Sequence, residues 1–139
     1  MNPTLEQQRQ AVRREVERRN LASFMNATKW RELRDAVLNE LPFPPMFQMQ
    51  PILGPRFDPY PPYVPGHYGG WDHDLEPFWH VEWVQVRPRY ERGRGVLVTP
   101  VIEDCSEQFR AILDRLNVPY AERGQDFWIY GYAETAPAD

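Results

Sequence analysis

Apolar residues recur at helical spacing in three segments of the chain, and the clearest of these is the last. There the residues at positions i, i+3, i+4 and i+7 are Phe109, Ile112, Leu113 and Leu116. This spacing predicts a helix with one buried face, closed by Asn117 and Pro119. Asp104 and Glu107 have the spacing of a capping box, so we expect the helix to begin at Asp104.

The other two helical segments lie near the N-terminus. Residues 4–23 contain no Gly or Pro and can be capped by Thr4, but their apolar stripe is narrow. Its members are Leu5, Val12 and Val16. Such a stripe can dock lightly or pair with another helix, but it cannot drive folding alone. The second helix, residues 29–40, follows Thr28 as its expected cap, carries an apolar face that begins at Trp30, and stops before Pro42.

Alternating apolar and polar residues predict four strands. They are residues 46–53, 78–87, 96–98 and 127–132, with Pro51 confining the first to a sheet edge. The Arg-rich residues 89–95 are predicted to form a basic turn. The order of elements favours an α+β fold in which helices pack on one face of a small, largely antiparallel sheet of about four strands.

The chain of 139 residues is short enough for one domain, and long enough to bury a core without disulfides. We expect residues 24–133 to form a single α+β domain. Residues 1–23 would be a basic helical extension of that domain, and residues 134–139 a tail.

Between Leu41 and His80 the chain holds ten of its fifteen prolines, interspersed with tyrosine, tryptophan and phenylalanine. Proline fixes φ and lacks a backbone N–H, which excludes a regular helix or a central strand from this long loop. Aromatic rings are costly to leave in water, so we expect an ordered segment that covers the core, presents a binding face, or both. Residues 59–65 also contain two Pro-x-x-Pro patterns, typical of polyproline ligands, although a brace on the domain's own strands explains them as well.

Charge is distributed unevenly along the chain. Residues 1–34 hold eight Arg or Lys against four Glu, whereas residues 35–139 hold eight against sixteen Asp or Glu. An acidic body disfavours nucleic acid, whose phosphates attract cations, and favours a basic protein partner.

The chain has a single cysteine, Cys105, and no apolar run long enough to span a membrane. We therefore expect a cytoplasmic protein with neither a membrane nor a nucleic-acid partner.

One group of residues has the composition of a metal site. Imidazoles and carboxylates, the ligands of zinc or iron, are supplied by His67, Asp72, His73, Asp74, Glu76 and His80. Their spacing fits no usual ligand pattern, so we expect no bound metal and no cofactor. The alternative is a metal-dependent hydrolase whose ligands would be His67, Asp72, His73 and His80.

Cys105 is the best-placed nucleophile, because a helix N-terminus lowers the pKa of a thiol. The adjacent carboxylate of Asp104 opposes formation of the thiolate. We therefore expect no catalytic residue in this chain.

Several short motifs, taken in order, resemble a family of small, stand-alone, uncharacterised bacterial domains. They are Asn26-Ala27-Thr28-Lys29-Trp30, Leu41-Pro42, the aromatic middle strand, Val118-Pro119-Tyr120 and Ile129-Tyr130-Gly131-Tyr132. The resemblance covers residues 24–133 and leaves the first helix as an extension. That family has no established activity, so the resemblance implies no catalytic residue. In size and in standing alone, such domains resemble the immunity proteins of bacterial toxin systems.

These observations favour a protein-binding function, namely a cytoplasmic immunity protein that covers the basic substrate cleft of a bacterial toxin. Interfaces draw most of their binding energy from a few Trp, Tyr and Arg side chains. The expected partner-facing residues combine aromatic rings with carboxylates and are Tyr60, Tyr63, Tyr68, Trp71, Asp72 and Asp74. A structural protein that forms a homo-oligomer through its N-terminal helix is the remaining alternative.

Overall fold

The computed structural model of the protein describes residues 2–61, 68–92 and 101–137. The helices of these residues are α1 (Leu5–Arg18), α2 (Ala27–Glu40) and α3 (Ser106–Arg115), together with a short 3₁₀ helix at Phe78–His80. The strands are β1 (Ala22–Ser23), β2 (Met46–Pro51), β3 (Val81–Arg87), β4 (Arg89–Arg92), β5 (Val101–Asp104), β6 (Tyr120–Arg123), β7 (Asp126–Tyr130) and β8 (Tyr132–Ala133). No helix in these ranges is long and apolar enough to cross a membrane.

The principal sheet has four antiparallel strands in the order β2-β3-β7-β6. Strand β2 lies at an edge of this sheet, as Pro51 predicted, and β3 lies inside it. Two smaller antiparallel pairs join β1 to β8 and β4 to β5. The prediction of an α+β fold built on a small antiparallel sheet is confirmed.

One face of the four-stranded sheet packs against α2 and α3. Val84 and Val86 of β3 pair with Ile129 and Phe127 of β7, and all four belong to the buried core. Both helices contribute to the same core through Trp30, Leu33, Val37, Phe109, Ile112 and Leu113. The apolar face predicted for α3 is therefore confirmed, with Leu116 partly buried beside it.

Helices α1 and α3 end in the same way, with an asparagine in the left-handed conformation. The φ angle is 56° at Asn20 and 55° at Asn117. In each case the N–H of the following residue donates to a carbonyl of the last helical turn, at 3.0 and 2.9 Å respectively. The predicted closure of α3 at Asn117 is confirmed. Helix α1 was predicted to extend to residue 23, but it ends at Arg18 because Asn20 turns the chain into β1.

Two helix starts differ from the prediction by one or two residues. Asn26, not Thr28, caps α2, since its side chain accepts the Lys29 N–H at 2.8 Å. Cys105 occupies the cap position of α3, and Asp104 accepts a backbone N–H of the first turn at 2.9 Å without the predicted capping box. Asparagine and aspartate satisfy the free N–H groups of a helix start from more than one position, which explains the shifts.

The strand predicted over residues 78–87 is interrupted. Its first three residues form the 3₁₀ helix, and the pairing of β3 with β2 skips Glu82. Such a bulge reverses the alternation of side chains, so Val81 and Val84 both reach the core.

Two antiparallel pairings lie where the prediction had none. Arg89–Arg92, predicted as part of a basic turn, is β4, and it pairs with Val101–Asp104. The strand predicted at 96–98 lies outside the described residues. Strand β6 was not predicted and forms a hairpin with β7 through Gly124, which has a φ of 61°. The predicted last strand is divided between β7 and β8, which belong to different sheets.

Helix α1 is docked on the body of the protein. Thr4 caps it, as predicted, through a capping box with Gln7. Val12 is only 2% exposed, although Leu5 near the start of the helix is 67% exposed. Immediately after the helix, Arg19 donates two hydrogen bonds of 2.8 and 3.0 Å to Glu82 of β3.

Glu82 also contacts the proline-rich segment, and so joins it to the end of α1. Arg56 of that segment donates two hydrogen bonds, 2.7 and 2.9 Å long, to the two carboxylate oxygens of Glu82. Burial alone would raise the pKa of Glu82, but the hydrogen bonds from Arg19 and Arg56 hold that pKa below its ordinary value. The carboxylate therefore stays ionised and links three parts of the chain.

Candidate functional site

The sheet face opposite the helices is polar, and it holds residues 55–61 of the proline-rich segment. Gln85 accepts the Tyr60 N–H at 2.8 Å and donates to the Tyr60 carbonyl at 3.2 Å. Gln50 accepts the Phe57 N–H at 2.7 Å and donates to the Pro55 carbonyl at 3.1 Å. A segment so rich in proline cannot pair as a regular strand, so side chains of the sheet satisfy its backbone instead.

A buried ion pair extends this set of contacts. Arg87 donates to both carboxylate oxygens of Asp126, at 2.8 and 2.7 Å, and also to the Pro61 carbonyl at 3.0 Å. The Arg87 and Asp126 side chains are only 6% and 8% exposed. We call Gln50, Gln85, Arg87 and Asp126 the loop clasp. The clasp keeps Tyr60, one of the predicted partner-facing residues, half-buried on this face, whereas Tyr63 lies outside the described residues.

Trp71 lies in the core, which corrects its assignment as a partner-facing residue. It is 1% exposed, and its indole N–H donates to the Pro45 carbonyl at 2.7 Å. Its ring meets Phe47 and Phe109 edge-on, with centroids 5.1 and 6.2 Å away. Trp71 therefore stabilises the fold and offers no area to a partner.

Tyr68 is exposed and yet held in place. It is 58% exposed, and its ring lies 6.2 Å from that of Phe43 and 5.1 Å from that of Tyr90. Phe43 is itself 3% exposed, so the contact fixes Tyr68 to the buried interior. The next residue is anchored too, because the Gly69 N–H donates to the Pro44 carbonyl at 3.1 Å. A side chain at Gly69 would collide with the neighbouring Pro45 carbonyl, which explains the glycine.

The hairpin of β4 and β5 continues this surface. Tyr90 pairs with Glu103, and Val101 is the next residue of β5 on the same face. Val101 is 53% exposed, so an apolar side chain lies on the same face of the hairpin as Tyr90, whose ring contacts Tyr68. We call Tyr68, Tyr90 and Val101 the Tyr68 surface.

An acidic turn follows Tyr68 along the chain. Asp72 and Asp74 are both exposed, and His73 Nδ1 lies 2.7 Å from Asp72 Oδ1. That hydrogen bond, with the charges of both aspartates, raises the pKa of His73, and it lowers the pKa of Asp72. Protonated His73 therefore offsets part of the negative charge of the turn, more than an ordinary histidine would at neutral pH.

The ligands of the alternative metal-dependent hydrolase do not form a cluster where the structure describes them. His80 Nε2 accepts the Leu53 N–H at 3.4 Å, and burial lowers the pKa of His80. Asp72 and His73 contact each other, and His67 lies outside the described residues. Within residues 2–61, 68–92 and 101–137, no group of three or more His, Cys, Asp or Glu side chains is placed to hold a metal ion.

Cys105 is a buried neutral thiol. It is 0% exposed, and burial, with the nearby charge of Asp104, raises its pKa to about 11. The helix start that was expected to favour a thiolate is outweighed by the loss of water around the sulfur.

Sequence reasoning missed Tyr90 and Val101 as members of an exposed surface. The segment around Tyr90 is rich in Arg and Gly, which is typical of a turn. Neither Arg89–Arg92 nor Val101–Asp104 alternates between polar and apolar residues, so the sequence carried no periodic signal for this hairpin.

Comparison with known proteins places the chain in a family without identifying an activity. No curated protein and no solved structure matches it. A family model does match, over residues 12–136. The match takes in the loop clasp, the Tyr68 surface and the second half of α1, and thus begins earlier than the motifs from residue 24 indicated. The chain therefore belongs to the DUF6678 family, a family of unknown function, which confirms its resemblance to an uncharacterised family.

Proposed function

We propose that this protein is a protein-binding module and acts as a cytoplasmic immunity protein that covers a bacterial toxin. The observation that carries the proposal is Tyr68, which is 58% exposed although Phe43 and Tyr90 hold its ring in position. An exposed ring that is already ordered loses little conformational entropy on binding. Aromatic side chains of this kind serve as the anchors of protein interfaces.

Charge supports a basic partner. The acidic turn places two exposed carboxylates within six residues of Tyr68, and residues 35–139 carry twice as many acidic as basic side chains. Complementary charge accelerates association and disfavours partners of the wrong sign. A toxin that acts on nucleic acid needs a cationic substrate cleft, so an acidic surface with an aromatic anchor can occlude that cleft.

The experiment starts from the genes that flank the one encoding this chain. Each flanking product is expressed in a test bacterium, alone and together with this protein. One product should arrest growth alone, and co-expression should restore growth and yield a complex that survives purification. If no flanking product both arrests growth and binds the protein, the immunity function is wrong.

Variants then test the surface. Tyr68→Ala should weaken the complex by about 2 kcal/mol, or roughly 30-fold, which is the usual loss for an aromatic anchor. Asp72→Asn with Asp74→Asn should mainly slow association and reduce its dependence on salt. Leu38→Ala is the matched control, because Leu38 is an apolar residue that is 43% exposed on α2.

Two results would contradict the proposed surface. The first is equal affinity of the Tyr68→Ala and wild-type proteins for the partner. The second is a larger loss for the Leu38→Ala control than for Tyr68→Ala. Stoichiometric zinc or iron in the purified protein, with loss of thermal stability in chelator, would instead favour the metal-dependent hydrolase.

A further inference from the structure

We propose that the groove between α1, the start of α2 and the Phe78–His80 turn binds a small organic anion with an apolar body, such as a medium-chain carboxylate. The groove has a volume of about 720 Å³, within the range of small-molecule sites. Its lining is mainly apolar and includes Leu5, Met25, Trp30, Phe78, Trp79 and Tyr132. None of these residues belongs to the Tyr68 surface, so the two proposals are independent.

Several polar groups of the lining already have partners within the protein. The Tyr132 hydroxyl donates to a backbone carbonyl at 2.9 Å, and the Ser23 hydroxyl donates to another at 3.1 Å. The Glu76 carboxylate accepts a hydrogen bond from Arg34 at 2.6 Å. The Tyr132 and Ser23 hydroxyls therefore offer little to a ligand, and Arg34 balances the charge of Glu76, whose side chain is 56% exposed. The rest of the groove presents mostly hydrocarbon.

Two arginines of the lining remain available to a ligand, and they belong to different helices. Arg9 belongs to α1, is exposed, and has no hydrogen bond or ion pair to any residue that the structure describes. Arg31 belongs to α2, is exposed, and makes a 3.5 Å contact with the Thr28 hydroxyl. Burial raises the pKa of the Tyr132 phenol, while the positive charges of Arg9 and Arg13 act in the opposite sense. The charge of Arg9 therefore acts on Tyr132, another residue of the lining.

This distribution of charge selects the class of ligand. An apolar floor with guanidinium groups at its margin is complementary to a hydrocarbon chain that ends in a carboxylate. A cationic amphiphile would place like charges together, and a neutral one would give neither guanidinium group a counter-ion. The chemistry therefore favours the anion.

The test is calorimetric titration of the full-length protein with decanoate, with decylammonium and decanol as ligands of matched chain and different charge. Decanoate should bind one site, at least tenfold more tightly than decylammonium. The double variant Arg9→Ala with Arg31→Ala should bind decanoate about three- to tenfold more weakly, since exposed ion pairs contribute modestly. Arg14→Ala removes an exposed arginine of α1 that does not line the groove, and it should leave the affinity unchanged.

A variant that obstructs the groove separates this site from binding elsewhere. Ala27 lines the groove and is exposed at the start of α2, so Ala27→Trp should abolish decanoate binding while far-ultraviolet circular dichroism shows an intact fold. Unchanged binding in Ala27→Trp, equal binding of decylammonium, or no binding of decanoate by the wild type would each overturn the proposal. Tyr68→Ala should not alter decanoate affinity, so failure of the proposed immunity function leaves this result intact.

Discussion

Asp126→Asn should destabilise the protein strongly, because it removes the charge that the buried Arg87 contacts. The Asp126 carboxylate accepts hydrogen bonds from Arg87 at 2.8 and 2.7 Å, and the two side chains are only 6% and 8% exposed. The asparagine variant therefore leaves the buried Arg87 cation without its counter-ion. Breaking a pair of this kind by removing one partner costs about 3–5 kcal/mol.

Urea unfolding followed by tryptophan fluorescence measures this loss. Trp83 and Trp128 lie on the same sheet face as the clasp, so their emission reports on its exposure to water. With a slope of about 2 kcal/mol per molar urea, the midpoint should fall by roughly 1.5–2.5 M. Domains of this size have an unfolding free energy of about 5–15 kcal/mol, so the expected loss is a large fraction of it.

Two further variants make the result specific to the clasp. Asp58→Asn removes an exposed carboxylate from the same proline-rich segment and should change the stability by less than about 0.5 kcal/mol. The double variant Arg87→Met with Asp126→Leu removes both charges and should recover part of the loss. A loss below about 1 kcal/mol for Asp126→Asn would refute the reasoning, since a pair that water reaches is worth no more than that.

Four other experiments test the fold at separate points. Leu113→Ala should lower the free energy of unfolding by about 2–5 kcal/mol, because Leu113 is fully buried, and a loss under 1 kcal/mol in urea would place it outside the core. Gly131→Val should unfold the protein at a lower temperature, because a Cβ there collides with the Val81 carbonyl oxygen; an unchanged melting temperature would contradict that close approach. Cys105 should react with a thiol reagent at pH 8 only after denaturation, since burial raises its pKa to about 11; rapid labelling of the native protein would show an open site. The wild type should lose stability as the pH falls below 4.5, because Glu82 then binds protons more readily in the unfolded chain than in the native protein, where its pKa is lowered. Glu82→Gln should flatten that part of the curve of unfolding free energy against pH; identical curves would remove Glu82 from the acid response.

The parts of the fold that follow from local pattern could be predicted. Helix α3 shows a clean apolar face at i, i+3, i+4 and i+7, and Pro51 limits β2 to an edge. The end of α1 could not be placed from its apolar spacing, because the deciding feature is the left-handed conformation of Asn20. Asparagine tolerates that conformation, but nothing in its neighbours requires it.

The partner-facing surface could be predicted only in part, because the exposure of a side chain depends on the assembled fold. Tyr68 and Trp71 lie three residues apart in one irregular segment, yet Tyr68 is 58% exposed and Trp71 is 1% exposed. Periodicity cannot separate them, since the segment has none. The bulge at Glu82 is equally silent in the sequence, although it decides which side chains of β3 reach the core.

The loop clasp holds residues 55–61 through their backbone. Each described bond from the clasp to residues 55–61 ends on a main-chain atom, such as the Pro55 carbonyl or the Tyr60 N–H. These hydrogen bonds do not depend on which side chains residues 55–61 have, provided that the backbone keeps its conformation. Replacing exposed side chains such as Phe57, which is 41% exposed, therefore leaves the anchoring unchanged. The sheet thus fixes the backbone of residues 55–61, while their exposed side chains can be exchanged without loss of these hydrogen bonds.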